Sequence, residues 1–106
     1  MNIILTKEIK ADVSVELIQK SDIKKHKYSK LLKDANFQAK QDSICILYGK
    51  KIVFCGVNSL KNDEIRSASA SVARSLKSTN FKTASINVDK NSIKAVVEGF
   101  VLGDYE

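Results

Sequence analysis

LKNDEIRSASASVARSLKS, residues 60–78, is the most regular segment of this sequence. Its apolar residues recur at the spacing of a single helical face: Ile65, Ala68, Val72, Ala73 and Leu76. Asn62 is a suitable N-cap, and Asp63 and Glu64 follow it where the helix dipole favours negative charge. The segment predicts an amphipathic helix, and its small residues 67–71 predict a close approach to a sheet.

The segments on either side of this helix predict the rest of the fold. Alternation or short apolar runs typical of strands occur at residues 2–7, 13–19, 44–48, 52–57 and 81–88. Further helices are predicted for residues 22–35 and from Asn91 or Ser92 onward. The order β-β-α-β-β-α-β-α indicates an α/β fold, in which a mixed sheet carries helices on its faces.

The third and fourth strands are predicted to form a hairpin with a tight turn at residues 49–50. In that register Ile44 lies opposite Cys55 and Cys45 lies opposite Phe54, so the two cysteines point to opposite faces. We expect buried, reduced thiols rather than a disulfide, which fits a reducing compartment. Because both strands are continuously apolar, we expect both to be central strands with covered faces.

The composition is that of one globular domain spanning residues 1–106. With 43% hydrophobic and 28% charged residues, such a chain buries roughly two-thirds of its unfolded surface. No apolar run reaches the ~20 residues that a membrane-spanning helix needs, and the N-terminus lacks the pattern of a signal peptide. We therefore expect a cytoplasmic protein with no membrane association.

Motifs for catalysis are missing from the sequence. His26 is the only histidine and lies among lysines, so we expect a surface histidine rather than a metal ligand. The four glycines form neither a dinucleotide-binding nor a P-loop pattern. Asp63 and Glu64 are interpreted as helix-start residues rather than acid–base catalysts. We expect no catalytic, cofactor-binding or metal-ligating residue in this segment.

A lysine-rich segment is the one feature that suggests a charged partner. Its six lysines are Lys20, Lys24, Lys25, Lys27, Lys30 and Lys33. In a chain of net charge +6, they could meet the phosphates of a nucleic acid. Nucleic-acid sites usually add arginines and stacking aromatics, and only Tyr28 is interleaved here, so a solvated helix face is favoured.

Several features of the second half occur together in a fixed order. They are Gly56 at the end of a strand pair, Arg66 with Ala68, Ala70 and Ala73 in a helix, and Glu98, Gly99, Leu102, Gly103 and Tyr105 in the final helix. This pattern resembles the N-terminal domain of the leucyl (cytosol) aminopeptidase family over residues 30–106, and more loosely before them. The chain differs from the family after Gly56, where residues 57–58 replace a more usual Leu-Gly.

The resemblance implies a macro-domain-like, three-layer α/β/α fold with a mixed sheet. It also implies that this segment is the non-catalytic N-terminal domain of a cytoplasmic exopeptidase, which releases N-terminal amino acids from peptides. The catalytic domain, outside this chain, would hold two divalent metals, zinc or manganese, and a metal-bridging water would attack the peptide bond. The parent enzyme would be a homo-hexamer.

The final helix stays apolar almost to the last residue of the chain. We interpret this as a domain cut where the helix leads toward the catalytic half. Part of Val97, Phe100, Val101 and Tyr105 is then expected to contact that absent domain and to be exposed here. Two alternatives stay open: a macro-like module for a nucleotide or ADP-ribose, and a nucleic-acid-binding domain that uses the basic helix around residues 20–33.

Overall fold

Five strands and three α-helices make up the computed structural model, which describes residues 2–4 and 11–105. The strands are β1 (Asn2–Ile4), β2 (Val13–Ile18), β3 (Ile44–Leu47), β4 (Ile52–Gly56) and β5 (Thr83–Ile86). The helices are α1 (Ser29–Asp34), α2 (Asn62–Leu76) and α3 (Ile93–Tyr105). Short 3-10 turns cover Lys20–Asp22, Tyr48–Lys50 and Lys90–Ser92. The predicted element order is confirmed; residues 5–7 of the first predicted strand lie outside the described residues.

The strands form one mixed sheet in the order β1-β5-β2-β4-β3. All neighbouring strands are parallel except the β3–β4 hairpin. The hairpin register is the predicted one, with Ile44 opposite Cys55 and Cys45 opposite Phe54. The prediction of a central position is wrong for β3, which lies at the sheet edge with half-buried side chains. A strand with both faces partly covered is apolar throughout even where it has a neighbour on one side only.

Helices lie on both faces of the sheet. The larger core joins α2 and α3 to one face, through residues such as Val15, Val53, Val72 and Phe100. The smaller core lies on the other face, where Leu32 of α1 packs with Ile18, Ala39 and Phe54. The result is an α/β fold compatible with three α/β/α layers, as the sequence predicts.

Two of the three predicted helix starts are displaced, whereas α3 begins at Ile93, directly after the predicted cap position Ser92. The helix predicted over residues 22–35 is formed only from Ser29 to Asp34, after a series of turns. The backbone N–H of Tyr28, which flanks the helix, donates to the ring of His26 instead of to a helical carbonyl. At α2 the N-cap is Lys61 rather than Asn62, whose side-chain oxygen accepts a hydrogen bond from Ser92 at 3.2 Å.

Candidate interaction surfaces

Helices α2 and α3 contact each other through their backbones. A Cβ added at Gly99 would lie 2.3 Å from the carbonyl oxygen of Arg66, and one added at Gly103 would lie 2.3 Å from that of Ala70. No side chain larger than hydrogen fits either position. The sequence predicts that the small residues 67–71 of α2 pack on the sheet; Ala68 does so beside Cys55, whereas Ser69 and Ala70 pack against α3. The outer face of α3 therefore has a fixed position.

Arg66 links the two helices at their exposed rim. Its Nη1 donates to Asp63 Oδ1 at 2.9 Å, and its Nη2 donates to Glu98 Oε1 at 3.4 Å. The hydrogen bond to Asp63, with the Glu98 carboxylate beside it, raises the pKa of the Arg66 guanidinium. These ion pairs are exposed to solvent, so they orient the helices more than they stabilise them.

The outer face of α3 carries exposed apolar side chains. Val97, Val101 and Leu102 are 41%, 52% and 55% exposed. Phe100, one of the four residues among which the contact with an absent domain is predicted, is 4% exposed and lies in the larger core, so it is not on this outer face. Since Gly99 and Gly103 face α2, Phe100 turns inward while its neighbour Val101 turns outward. The side chain of Tyr105 lies outside what the structure describes.

The lysines of the lysine-rich segment are exposed but do not form a single helix face. All six predicted lysines are exposed, and they are spread over a 3-10 turn, irregular turns and α1. The Nζ atom of Lys27 lies 5.1 Å from the centre of the Tyr28 ring. Lys50, from the hairpin, lies 5.7 Å from the same ring. Sequence reasoning missed Lys50 because only the folded register brings it beside Tyr28.

His26 connects this segment to the sheet. Its side chain is 16% exposed, and its Nε2 atom lies 2.7 Å from Glu16 Oε2. Its Nδ1 atom accepts the backbone N–H of Tyr28 at 3.0 Å, so the neutral ring carries its proton on Nε2 and donates it to Glu16. The ring edge also packs on Phe54. The expectation of a plain surface histidine is wrong, because the turn before α1 folds the ring against β2.

The two cysteines are unbonded thiols on opposite faces of the sheet. Burial raises the pKa of Cys55 to about 12, and the negative charge of Asp42 adds to the effect. Burial also raises the pKa of Cys45, which is half-buried rather than buried as predicted. A raised pKa keeps both groups as thiols at neutral pH, which is unfavourable for nucleophilic chemistry.

The described part of the chain contains neither a cluster of metal-binding side chains nor a membrane-spanning helix. Within residues 2–4 and 11–105, no group of three or more histidine, cysteine or acidic side chains could hold a metal ion. Among the helices that the structure describes, none is long and apolar enough to cross a bilayer.

The loop before β3 is held in place far more firmly than a simple connection. Ser67 and Ser71 of α2 donate to the Asp42 side chain at 2.6 Å and to its backbone oxygen at 2.7 Å. Gln41 donates to the backbone oxygen of Glu64 at 3.0 Å and accepts the N–H of Asn58 at 2.7 Å. Sequence reasoning missed this network because polar residues between two apolar segments are also typical of solvated loops.

A comparison with protein families identifies the family of this chain. A model described as the cytosol aminopeptidase family, N-terminal domain, matches residues 6–106. The chain belongs to the cytosol aminopeptidase family. This confirms the resemblance found in the sequence, and no curated protein matches the chain. Of the residues that carry the resemblance to the cytosol aminopeptidases, Arg66, Glu98, Gly99 and Gly103 lie where α2 meets α3. These residues form the contact between the two helices.

Proposed function

We propose that this chain is the non-catalytic N-terminal domain of a cytosolic leucyl aminopeptidase, which releases N-terminal amino acids from peptides. The family match supports this assignment. In this proposal a following catalytic domain binds two divalent cations, zinc or manganese, that lower the pKa of an attacking water. Residues 1–106 take no part in hydrolysis and contribute to the assembly of a homo-hexamer in the cytoplasm.

The exposed apolar face of α3 carries the proposal. Val97, Val101 and Leu102 lie next to one another on a helix whose backbone is locked against α2. Charged residues such as Lys94 and Asp104 flank them. An apolar centre with a polar rim is typical of a surface that another protein covers. We therefore place the contact with the catalytic domain on this face.

The activity can be tested by comparing two polypeptides from the same gene. Residues 1–106 and the longer polypeptide are each assayed for hydrolysis of leucine amides with added Mn²⁺ or Zn²⁺. We expect hydrolysis by the longer polypeptide only, and its loss when the metal is chelated. Hydrolysis by residues 1–106, or no hydrolysis by the longer polypeptide with either metal, contradicts the proposal.

The docking surface can be tested with Val97→Ser combined with Val101→Ser. In the longer polypeptide we expect a lower unfolding temperature or a smaller assembly, because the contact loses apolar area. In residues 1–106 alone we expect a change within about 0.5 kcal/mol, since both side chains are already exposed. Leu60→Ser is the matched control, because Leu60 is 61% exposed and is not a residue of α3. Equal effects of the double variant and the Leu60→Ser control would refute the proposed docking surface on α3.

A second candidate function is nucleic-acid binding through the lysine-rich segment. The observation that favours it is Tyr28, an aromatic ring flanked by Lys27 and Lys50 among further exposed lysines. Retention on DNA should then fall with salt, and the triple change of Lys24, Lys25 and Lys27 to alanine should reduce that salt dependence. Alanine at Lys61, Lys77 and Lys94 removes the same charge elsewhere. Retention that survives the first variant refutes this site.

A further inference from the structure

A cavity of about 330 Å³ opens at the carboxyl ends of strands β2 and β4. Residues 19–21, which follow β2, and residues 57–58, which follow β4, form two parts of its lining. Residues 38–40, from the loop before β3, form the third part. Neither the apolar face of α3 nor the aminopeptidase assignment accounts for this cavity.

The path of the chain explains why a cavity forms here. Strands β2 and β4 are parallel neighbours, and their pairing continues to the bond from Val57 N to Ile18 O. After β2 the chain turns toward α1 on one face of the sheet, and after β4 it turns toward α2 on the other. The two connections therefore diverge and leave a crevice between the strand ends. Open α/β sheets bind their ligands at such positions.

The loop wall of the cavity is built before any ligand arrives. A Cβ added at Gly56 would lie 2.2 Å from the backbone oxygen of Lys40, so the loop rests directly on β4. Ala39 is 3% exposed and has a φ of 55°, a left-handed conformation that turns the chain over the strand. Asn58, at the opposite wall, is tied to the same loop through Gln41. Because this wall is already ordered, less conformational entropy of the loop is lost when a ligand binds.

The lining defines the class of ligand. Lys20 and Lys40, whose side chains carry ammonium groups, line different walls, and the lining residues Ser21, Gln38 and Asn58 carry hydroxyl and carboxamide groups. None of the eight lining residues is acidic, so nothing in this described lining offsets the positive charge. The lining also holds no guanidinium to pair with a planar carboxylate and no aromatic ring to stack a base. We propose that the cavity binds the phosphoryl group of a small, non-aromatic molecule.

The proposal is tested by titrating the 15N-labelled protein with inorganic pyrophosphate at constant ionic strength. We expect saturable amide shifts confined to the cavity, at Ser21, Gln38, Lys40 and Asn58. The double change Lys20→Ala with Lys40→Ala should weaken binding roughly tenfold or more, because two charge-assisted contacts are lost. Both lysines are exposed, so the variant keeps its fold, and its dispersed spectrum verifies this.

The matched control is Lys30→Ala with Lys33→Ala, which removes the same charge from α1 outside the cavity. We expect this control to bind pyrophosphate as the unchanged protein does. Equal weakening in both variants, or shifts spread along the whole lysine-rich segment, would overturn the proposal in favour of diffuse attraction to basic residues. Equal affinity for acetate would also overturn it, since the site would then not select a phosphoryl group. None of these outcomes depends on the aminopeptidase assignment.

Discussion

Two glycines decide how closely α3 lies against α2. We predict that Gly99→Ala or Gly103→Ala lowers the free energy of unfolding by roughly 1–3 kcal/mol, as overpacking does elsewhere. The added methyl group would meet a rigid backbone oxygen at 2.3 Å, and a gain in helix propensity of about 1 kcal/mol does not offset that. Gly49→Ala is the control, because a Cβ there has nothing within 4 Å. Urea denaturation measures all three, and a stable Gly103→Ala variant would refute the close contact.

Because of the Cys55 thiol, we expect the stability of the folded protein to depend on pH in the alkaline range. Its pKa rises from an ordinary value of 9.0 to about 12 in the folded state. The folded state therefore keeps a proton that the unfolded state loses, and stability declines as pH rises from about 9 toward 12. The slope approaches ~1.4 kcal/mol per pH unit. Cys55→Ala should flatten this slope relative to the unchanged protein in urea denaturation at pH 8 to 11, and parallel curves would contradict the assignment.

At the scale of elements, His26 holds the turn before α1 against β2. His26→Leu should lower the free energy of unfolding by roughly 1–3 kcal/mol, because the Glu16 carboxylate and the backbone N–H of Tyr28 both lose their hydrogen-bond partner. His26→Asn should restore part of this loss, since its side-chain oxygen can accept the Tyr28 N–H. The neighbouring change Lys25→Ala, at an exposed position, should stay within about 0.5 kcal/mol. Thermal unfolding distinguishes these outcomes, and an unchanged His26→Leu variant would show that the contact is incidental.

Helices and strands with a regular spacing of apolar residues could be predicted from the sequence, whereas the tertiary contacts of their side chains could not. The apolar stripe of α2 and the register of the β3–β4 hairpin follow from spacing alone. The direction of Phe100 does not, because Val97, Phe100 and Val101 form one apolar stripe until Gly99 is known to face α2. Likewise no local signal shows that residues 19–21, 38–40 and 57–58 surround one cavity.

At the scale of the whole molecule, the two faces of the sheet are covered by hydrophobic cores of different size. The α2–α3 face carries the larger core, whereas α1 has six residues and contributes one buried side chain, Leu32, to the smaller core. We predict that the amides of α1 exchange through partial opening at a lower free energy than those of α2. Native-state hydrogen exchange at increasing urea measures this, with Leu32 compared against Val72. Identical exchange free energies and identical urea slopes would mean that both faces open only on global unfolding.

The left-handed residues in the loop before β3 limit where the polypeptide can be reconnected. Asn36, Ala39 and Asp42 adopt φ values of 61°, 55° and 67°, and the bonds from α2 hold that path. New termini placed there would release the backbone from a conformation that it does not adopt alone. Gly49, at the hairpin tip, is exposed, and a Cβ added there would have no atom within 4 Å. A circular permutant of this domain should therefore have its new termini at Gly49. If the domain is divided into two fragments, the division should be made at the same position.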